Sequence, residues 1–467
     1  MNKKENKISK EIKINKKLAR RNYSNQTGIT LIALVVTIVV LLILAGVSIN
    51  ALFGDSGIIN KAKDAQNKMD QATQNDLDSI NELNNWIDGK INGTTGGNDN
   101  PPTSDLPSVA NETIPYYPDE TFTKDPDTNL DNGLVIKDSI GNEYVWIEVP
   151  KSLYANSSYN TETTTGDQKP SSSTDYDKIE YCLHKYTDYY RNGTSYKDEY
   201  DSDKAKEGTG LTSAQYTELK QKMLKSVYEN GGFWIGRYEA GITKNRTSKD
   251  EEITAAPLSK AGTVENPVYP YNYVRCSQAQ TLASQLSTEK SYTSSLMFGV
   301  QWDLVLKHIE VKEVANGTAL ATIQSELRTN SKDWGNYYNA SFEINRGKYA
   351  KNGELTTWYN YNNESGLANC VTYANGKSTK LSASSSSNSI LLTTGASDAC
   401  KKMNIYDLAG NVSEWTLEYT VDTGTPCTIR GGYCGNDGSR SRAASRIRYD
   451  LPTFSSYPVG FRLSLFK

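Results

Sequence analysis

The run from Gly28 to Phe53 constrains this chain more than any other feature, because no charged residue interrupts it. As a helix, its roughly 25 residues would reach about 37 Å, more than the ~30 Å hydrocarbon core of a bilayer. It is longer than the apolar part of an ordinary secretory signal, and no clear small-x-small cleavage site follows it. The run therefore predicts a segment that enters a membrane.

The charges on the two sides of this run indicate its orientation. Nine Lys and Arg residues, against only Glu5 and Glu11, precede Gly28. By the positive-inside rule, the N-terminus stays in the cytoplasm and the residues after Phe53 lie outside. We therefore expect a single-pass protein of the cell membrane with an extracellular C-terminal head. The formal net charge of -3 gives no reason to expect nucleic-acid binding.

The sequence Gly28-Ile29-Thr30-Leu31-Ile32 follows a basic leader, residues 1–28, and opens the apolar run. This arrangement resembles type IV pilins and pseudopilins. The resemblance implies that a prepilin peptidase cuts between Gly28 and Ile29, and that the helix packs with other pilin subunits in a pilus. Ala33 stands where that family usually has a glutamate, a departure that bears on polymerisation more than on cleavage.

Apolar residues recur at helical intervals after the run, which predicts one pilin-like transmembrane and stalk helix over residues 29–88. A plain membrane-anchored stalk is the alternative. Residues 89–133 are rich in Gly, Pro, Ser and Asn, and predict a flexible linker. The head is then residues 134–467. Within it, the pattern predicts strands at 135–136, 144–150 and 233–239, helices at 213–229, 279–286 and 300–309, and long loops with short strands over 332–388.

Several blocks of the head resemble the formylglycine-generating-enzyme family, also called the sulfatase-modifying-factor family. The blocks are Tyr144–Pro150, Phe233–Glu239, Asn404–Thr416, Arg430–Tyr433 and Val459–Leu465. The resemblance implies an α+β, C-type-lectin-like head in which the first and last strands pair and long loops cover one face. The whole chain would display this head on its N-terminal pilin-like helix.

The enzymes of that family bind copper between two cysteines that stand five positions apart after the Gly-Gly pair. Here Cys434 comes closer to Gly432 than in the enzymes, and Ser439 stands five positions later. A hydroxyl is a poor ligand for Cu(I), so we predict no catalytic site, with Cys434 as the only candidate. The iron-dependent branch needs clustered histidines, whereas this chain has only His184 and His308.

The six cysteines form no C-x-x-C pair, which argues against a zinc ribbon. Cys427 and Cys434 are the closest candidates for a disulfide, and reduced cysteines packed as small apolar groups are the alternative. The resemblance also implies a calcium site made by the Asn411 side chain, the Val412 carbonyl and Glu414. In the alternative interpretation, Asn411 and Glu414 only satisfy backbone donors in a turn.

Tyrosine occurs 31 times and phenylalanine 8 times, which a core alone would not explain, and tyrosine is favoured in binding loops. The segment before the last block is the predicted contact patch for a protein or glycan ligand. Its position resembles the variable patch of hypervariable lectin-type proteins, and an ordinary solvated loop is the alternative. The predicted ligand-binding residues are Tyr433, Asn436, Asp437, Arg440, Arg442, Arg446, Arg448, Tyr449, Phe454 and Tyr457.

Together these features predict a cell-surface or pilus-associated protein that binds a ligand, for example in adhesion, through a non-catalytic lectin-type head. Two alternatives stay open at the level of the sequence. One is a formylglycine-generating-type oxidoreductase that uses copper at Cys434. The other is a structural minor pilin whose head only caps or spaces a filament.

Overall fold

The computed structural model describes residues 115–155, 175–191, 202–419, 427–449 and 452–467. All of them fall within one unit of the chain, residues 96–467. The basic leader, the proposed cleavage site at Gly28 and Ile29 and the apolar run lie outside the described residues. Within the described ranges, no helix combines the length and the apolar character needed to cross a bilayer.

The helices of the described residues differ in length from one turn to five. They are α1 (Ser152–Ala155), α2 (Asp175–Tyr186), α3 (Asp188–Arg191), α4 (Ser202–Thr209), α5 (Ser213–Asn230), α6 (Cys276–Gln285), α7 (Gly299–Ala315) and α8 (Leu320–Arg328). Single 3-10 turns occur at Ser386–Asn388 and Asp398–Cys400.

The strands are short, as expected for a domain in which loops make up much of the chain. The first ten are β1 (Thr123–Lys124), β2 (Val135–Lys137), β3 (Glu143–Glu148), β4 (Gly232–Gly236), β5 (Gly241–Ile242), β6 (Tyr269–Pro270), β7 (Thr293–Leu296), β8 (Phe342–Ile344), β9 (Lys348–Lys351) and β10 (Tyr359–Asn360). The others are β11 (Val371–Ala374), β12 (Lys377–Lys380), β13 (Ile390–Leu392), β14 (Lys401–Lys402), β15 (Ile405–Tyr406), β16 (Ser413–Tyr419), β17 (Cys427–Arg430), β18 (Arg446–Tyr449), β19 (Val459–Phe461) and β20 (Leu463–Phe466).

The largest sheet is antiparallel and has the strand order β1-β2-β3-β4-β20-β7. The last strand of the chain, β20, therefore lies inside this sheet, between β4 and β7. Its register sets Leu465 opposite Trp234 on one side and Leu463 opposite Leu296 on the other. The expectation that the first and last strands of the head pair with each other is corrected: β20 lies in the same sheet as the first strands, but its direct partners are β4 and β7.

The second sheet, in the order β18-β17-β16-β19, holds the C-terminal blocks together. Its β16–β19 pair is parallel and sets Trp415 opposite Phe461. The core between the sheets and helices is built on fully buried tryptophans, including Trp146 and Trp234, whose rings lie 5.1 Å apart on β3 and β4. Burying rings of this size supplies a large share of the apolar free energy of folding.

The predicted helix over 213–229 is confirmed, since α5 spans Ser213–Asn230. Thr212 and Gln215 form a capping box at its start, and Gly231 ends it with a φ of 71°. The other two helices predicted in the head are also present but extend further than expected. In particular, α7 continues to Ala315, and Glu310, the first residue beyond the predicted end, is still buried.

The folded domain begins earlier than residue 134, where the sequence placed its start. Strand β1 pairs with β2, and Phe122 is buried. The indole Nε1 of Trp234 donates a hydrogen bond to the Tyr116 carbonyl at 2.9 Å. Residues 115–133, predicted as part of the linker, thus pack on the main sheet because two aromatic residues there reach the core.

Candidate functional site

A buried ion pair joins two of the C-terminal blocks. Nη2 of Arg462 donates to Oε1 of Glu414 at 2.6 Å, and both side chains are almost fully buried. The same guanidinium donates to the carbonyls of Gly236 at 2.9 Å and Tyr406 at 2.8 Å. Arg462 therefore ties the end of the chain to β4, β15 and β16 at one point.

Asn411 fixes the turn before β16 through both polar atoms of its amide. Its φ is 59°, in the left-handed region that asparagine tolerates better than most residues. Its Oδ1 accepts from the Leu392 amide at 2.9 Å and from Nδ2 of Asn336 at 3.0 Å. Its Nδ2 donates to Glu239 at 2.7 Å, and the Val412 amide donates to the same carboxylate at 3.0 Å.

Three buried carboxyl groups, those of Glu239, Asp407 and Glu414, lie near the guanidinium of Arg462. The guanidinium of Arg346 also acts on Asp407. Burial, followed by the negative charges of Asp407 and Glu414, raises the pKa of Glu239 well above its usual range. Burial also raises the pKa of Asp407 to about 7 and raises the pKa of Glu414. Because the carboxyl groups outnumber the guanidinium groups here, their protonated forms are favoured.

A second buried network contains Arg446, which the sequence analysis assigned to the ligand patch. Arg446 and Arg430 each bond to both Asp303 and Glu418, and Arg191 approaches Asp303 at 3.5 Å. The side chain of Arg446 is only 3% exposed. The three guanidinium groups outweigh burial and lower the pKa of Asp303 to about 2. The prediction for Arg446 is thus wrong, because β18 turns this residue into the core opposite Arg430.

The polar part of the predicted patch is a tight turn. Oδ1 of Asn436 accepts from the Tyr433 amide at 3.0 Å. The Asp437 carboxylate accepts from the Ser439 amide at 2.8 Å and from the Tyr338 hydroxyl at 3.1 Å. Hydrogen bonds lower the pKa of Asp437, and the largest effect is that of the Ser439 hydroxyl. The side chains of Asn436 and Asp437 are therefore engaged in hydrogen bonds that shape this loop.

The remaining polar residues of the patch differ in their surroundings. Arg440 is exposed, and Arg442 is half-buried and donates to the Ser439 carbonyl at 3.3 Å. Arg448 and Tyr449 belong to β18, whose backbone pairs with β17. The side chains of Arg448 and Tyr449 lie outside the part of the chain that the structure describes, so their ligand contacts stay predictions.

Two tyrosines of the patch, Tyr433 and Tyr457, pack against the same small apolar cluster as two further aromatic residues. We call this group of four residues the aromatic cleft. The aromatic cleft consists of Tyr273, Trp358, Tyr433 and Tyr457, all half-buried around a small apolar cluster. The buried members of that cluster are Ala350, Leu355, Leu391, Val412 and Cys434. The rings of Tyr433 and Tyr457 meet edge to face with centroids 6.4 Å apart. Burial, together with the neighbouring Tyr433, raises the pKa of Tyr457 to about 12, so its hydroxyl stays protonated.

Loops, not strands, position the other two members of the aromatic cleft. Tyr273 has a φ of 53°, a costly conformation for an aromatic residue, and its amide donates to the Ser456 carbonyl at 3.1 Å. Trp358 packs edge-on against Tyr269 at 4.8 Å and donates from Nε1 to the Leu355 carbonyl at 3.0 Å. These contacts hold the backbone of Tyr273 and the ring of Trp358 in place without a ligand.

A cavity of about 340 Å³ adjoins the aromatic cleft and shares Tyr273 and Leu355 with it. Lys351 and Glu354, which form an ion pair at 2.6 Å, also line it. Its other side chains include three threonines and Tyr359. The cavity thus offers hydroxyl groups, one balanced pair of charges and ring faces.

Sequence reasoning missed Tyr273 and Trp358, because it took the patch from one continuous segment, 433–457. Two local patterns in the sequence could have indicated these residues. Tyr273 ends a run with tyrosine at every second position from 269, and Trp358 follows two threonines. Phe454, by contrast, was predicted to contact the ligand, and the structure places it against the buried Trp415, with ring centroids 6.2 Å apart.

One family model matches the chain. It describes a "Sulfatase-modifying factor enzyme 1-like domain" and matches residues 211–465, which is more than half of the sequence. The chain belongs to this family. The match includes the buried ion pair of Glu414 and Arg462 and all four members of the aromatic cleft.

Two solved structures are similar to this sulfatase-modifying-factor-like chain. "Crystal Structure of CarF" is 16% identical, covers 50% of this chain and 87% of its own, and has a TM-score of 0.25. "Treponema denticola variable protein 1" is 18% identical, covers 51% of this chain and 85% of its own, and has a TM-score of 0.21. No curated protein matches the chain.

The residues predicted to bind calcium do not fit that ion. Calcium requires six to eight oxygen ligands. The Glu414 carboxylate is paired with Arg462, and Oδ1 of Asn411 already accepts two N–H groups. Val412 contributes its amide to Glu239. The cation that balances Glu414 is a guanidinium, so the calcium interpretation is corrected to a buried ion pair and a turn held by Asn411.

The residues around Cys434 do not fit a copper site. The Cys434 thiol is fully buried, and burial raises its pKa to about 12, which opposes formation of a thiolate ligand. Five positions later, Ser439 is exposed and its hydroxyl donates to Asp437 at 2.6 Å. Ser439 thus supplies no second thiolate, and the surroundings of Cys434 do not suit copper chemistry.

The predicted disulfide between Cys427 and Cys434 is also wrong. All six cysteines are free and buried. Cys427 begins β17, whereas Cys434 lies four residues beyond the end of that strand, with its Sγ 3.7 Å from Oδ1 of Asn352. The Cys434 thiol thus lies beside Asn352 and is not bonded to Cys427.

Proposed function

We propose that this chain is a surface protein whose sulfatase-modifying-factor-like head binds a ligand at the aromatic cleft and does no copper chemistry. The observation that supports this proposal is the cleft itself: four half-buried aromatic rings, drawn from three separate segments, around a small apolar floor. The unsuitable surroundings of Cys434 argue in the same direction, since they remove the residue on which the enzymatic alternative depends.

The physical argument is one of pre-organisation. Tyrosine and tryptophan present large rigid areas with a polar edge and lose little side-chain entropy on binding. In the aromatic cleft the Trp358 ring is held by its hydrogen bond to Leu355, and the rings of Tyr433 and Tyr457 pack against each other. The backbone of Tyr273 is held by its hydrogen bond to Ser456. A ligand would therefore spend little of its binding free energy on ordering the site.

The adjoining cavity favours a glycan as the ligand over a protein segment. Saccharides combine apolar ring faces with many hydroxyl groups, and the cavity offers tyrosine rings beside threonine hydroxyls and the Lys351–Glu354 pair. A protein ligand remains the second class, because the exposed Arg440 lies in the same C-terminal segment and suits an acidic peptide.

We also propose, on the basis of the sequence, that the head lies outside the cell. The run from Gly28 to Phe53 would anchor the chain in the cell membrane, and prepilin peptidase would cut after Gly28 and release it for assembly with other pilin subunits. A chain that combines a membrane anchor with an extracellular binding head would serve in adhesion. The intact mass of the chain purified from its own membrane tests the cleavage at Gly28 directly.

Glycan and extracellular-protein arrays probed with the full chain in detergent test the binding proposal. We expect a glycan signal that falls at least tenfold in affinity in Tyr433→Ala and in Tyr457→Ala, as for aromatic residues at the centre of an interface. Tyr117→Ala is the matched control, since it removes a tyrosine that is 49% exposed and does not belong to the cleft.

Each variant is first compared with wild type by thermal unfolding, so that a loss of binding is not a loss of fold. Equal binding by wild type and both cleft variants would contradict the assignment of the cleft. A signal on the protein array alone would redirect the proposal to a protein ligand.

A further inference from the structure

The cavity beside the aromatic cleft has one positive and one negative side chain among its lining residues. These are Lys351 and Glu354, whose Nζ and Oε1 atoms lie 2.6 Å apart. They stand at the two ends of one turn, in which the Glu354 amide donates to the Lys351 carbonyl at 2.9 Å. Their side chains are 35% and 65% exposed, so solvent, and with it a ligand, reaches the pair. The charges that line the cavity are therefore accessible and balanced.

Arg246 precedes the cavity residue Thr247 in the chain, but its guanidinium is buried and fully engaged with backbone carbonyls. Its Nε donates to the Asn272 carbonyl at 3.0 Å, and its Nη2 donates to the Tyr273 carbonyl at 3.2 Å. The remaining N–H groups donate to the carbonyls of residues 251–252. Arg246 thus fastens Tyr273 of the aromatic cleft to the loop after Thr247, and its N–H groups are not available to an anionic ligand.

The loop after Thr247 adds a negative charge behind the wall of the cavity. Oε1 of Glu251 accepts from the Thr247 amide at 2.6 Å and from the Thr247 hydroxyl at 3.0 Å. The hydrogen bond from the Thr247 amide is the main cause that lowers the pKa of Glu251, so this carboxylate is ionised at neutral pH. Its partner Lys244, at 3.7 Å, has a side chain that is 83% exposed, and solvent screens such a pair. The wall at Thr247 therefore disfavours a negatively charged ligand.

We propose that this cavity binds a neutral saccharide unit with adjacent hydroxyl groups, and that Lys351 and Glu354 determine this preference. The inference rests on the proposed function and names the class of glycan at the same site. A hydroxyl group both donates and accepts hydrogen bonds. One hydroxyl of the sugar can therefore donate to the Glu354 carboxylate while its neighbour accepts from the Lys351 ammonium. The charges of the pair stay balanced, because neither ion has to leave the other.

A sugar that carries a carboxylate fits this arrangement poorly. To reach Lys351, its carboxylate would have to displace that of Glu354, which belongs to the same turn and therefore has a high effective concentration. The displaced Glu354 and the ionised Glu251 would then lie near the new negative charge. Like charges brought together at an interface oppose binding, so the site should discriminate against acidic sugars.

The experiment applies the full chain in detergent to an array of paired glycans. One member of each pair ends in a hexose, and the other carries the corresponding uronic acid in its place, so that the two differ by one carboxylate. We expect wild type to bind the hexose-terminated member with an affinity at least about tenfold higher. Glu354→Lys replaces the carboxylate by a second ammonium group, and the preference should then reverse in favour of the uronic acid.

Glu218→Lys is the matched control, because it makes the same change of charge at an exposed position of α5 and should keep the preference of wild type. Thermal unfolding of each variant first establishes that the fold is retained. Equal or stronger wild-type binding of the uronic-acid glycans, or the same preference in wild type and Glu354→Lys, would overturn this inference while the proposed glycan function stands. A complete absence of glycan binding by wild type would overturn both.

Discussion

At the scale of single residues, two buried charge clusters behave in opposite ways. Around Asp303 and Glu418, guanidinium groups are in excess and the pKa of each carboxyl falls. Around Glu239 and Asp407, carboxyl groups are in excess and their pKa values rise. Stability should therefore respond to pH through the second cluster near neutrality and through the first only in strong acid.

Asp407→Asn should stabilise the domain at pH 8 by on the order of 2 kcal/mol and flatten its pH dependence. The pKa of Asp407 is raised to about 7, from about 3.8 in the unfolded chain, so its contribution is fully present below pH 3.8 and is lost as the pH rises to 7. Asparagine keeps the acceptor for the Gly395 amide and tolerates the φ of 57°. Urea unfolding of wild type and variant between pH 5 and pH 8 measures the difference, and parallel curves would contradict it.

Asp303→Asn should destabilise the domain by about 3–5 kcal/mol, because it leaves three buried guanidinium groups with a single carboxylate, that of Glu418. Urea unfolding at pH 7 is the measurement. Glu218→Gln is the control: it breaks the exposed pair with Lys222 on α5 and should leave the unfolding midpoint unchanged. Similar midpoints for both variants would show that the Asp303 network is not needed for stability.

At the scale of elements, the sequence predicts what is locally determined. The start and end of α5 follow from Thr212, Gln215 and Gly231, whose capping roles are decided within one turn of helix. The turn at Asn411 was predicted as a site from the family resemblance. Its partners, Glu239 and Asn336, come from distant segments and could not be predicted from spacing. The same holds for Arg446, whose partner Asp303 stands 143 residues earlier.

Thr212→Ala should lower the stability of the domain by about 1 kcal/mol, since it removes the acceptor for the Gln215 amide, a hydrogen bond of 3.2 Å. Thr217→Ala makes the same substitution at an exposed position inside α5 and should be neutral or slightly stabilising, because alanine favours helix. Thermal unfolding of the two variants gives the comparison. The cap interpretation fails if Thr217→Ala costs as much as Thr212→Ala.

At the scale of the whole molecule, the main sheet is closed by residues from opposite ends of the domain. Strand β20 lies between β4 and β7, with Leu463, Leu465 and Phe466 buried. The family resemblance predicted that the last strand joins the sheet of the first strands, but not that its partners are β4 and β7. The aromatic cleft could not be predicted as fully, because Tyr273, Trp358 and Tyr433 are brought together only by loops that fold on a finished framework.

Deletion of residues 463–467 should abolish cooperative unfolding, because it removes an interior strand and leaves the edges of β4 and β7 without partners. Near-UV circular dichroism and a thermal scan of the shortened chain are the measurements. Deletion of Lys467 alone is the control and should keep a native transition, since this residue is exposed. A native-like melting curve for the longer deletion would contradict the central role of β20.

Because β20 is an interior strand, a chain that lacks it cannot complete the main sheet. This strand follows every other strand of the domain in the chain, so translation that stalls early, or a protease that trims the tail, leaves a product with an open sheet. Such fragments expose unpaired strand edges and hydrophobic surface, which quality-control proteases recognise. Only copies translated through to the final strand would then survive to be displayed.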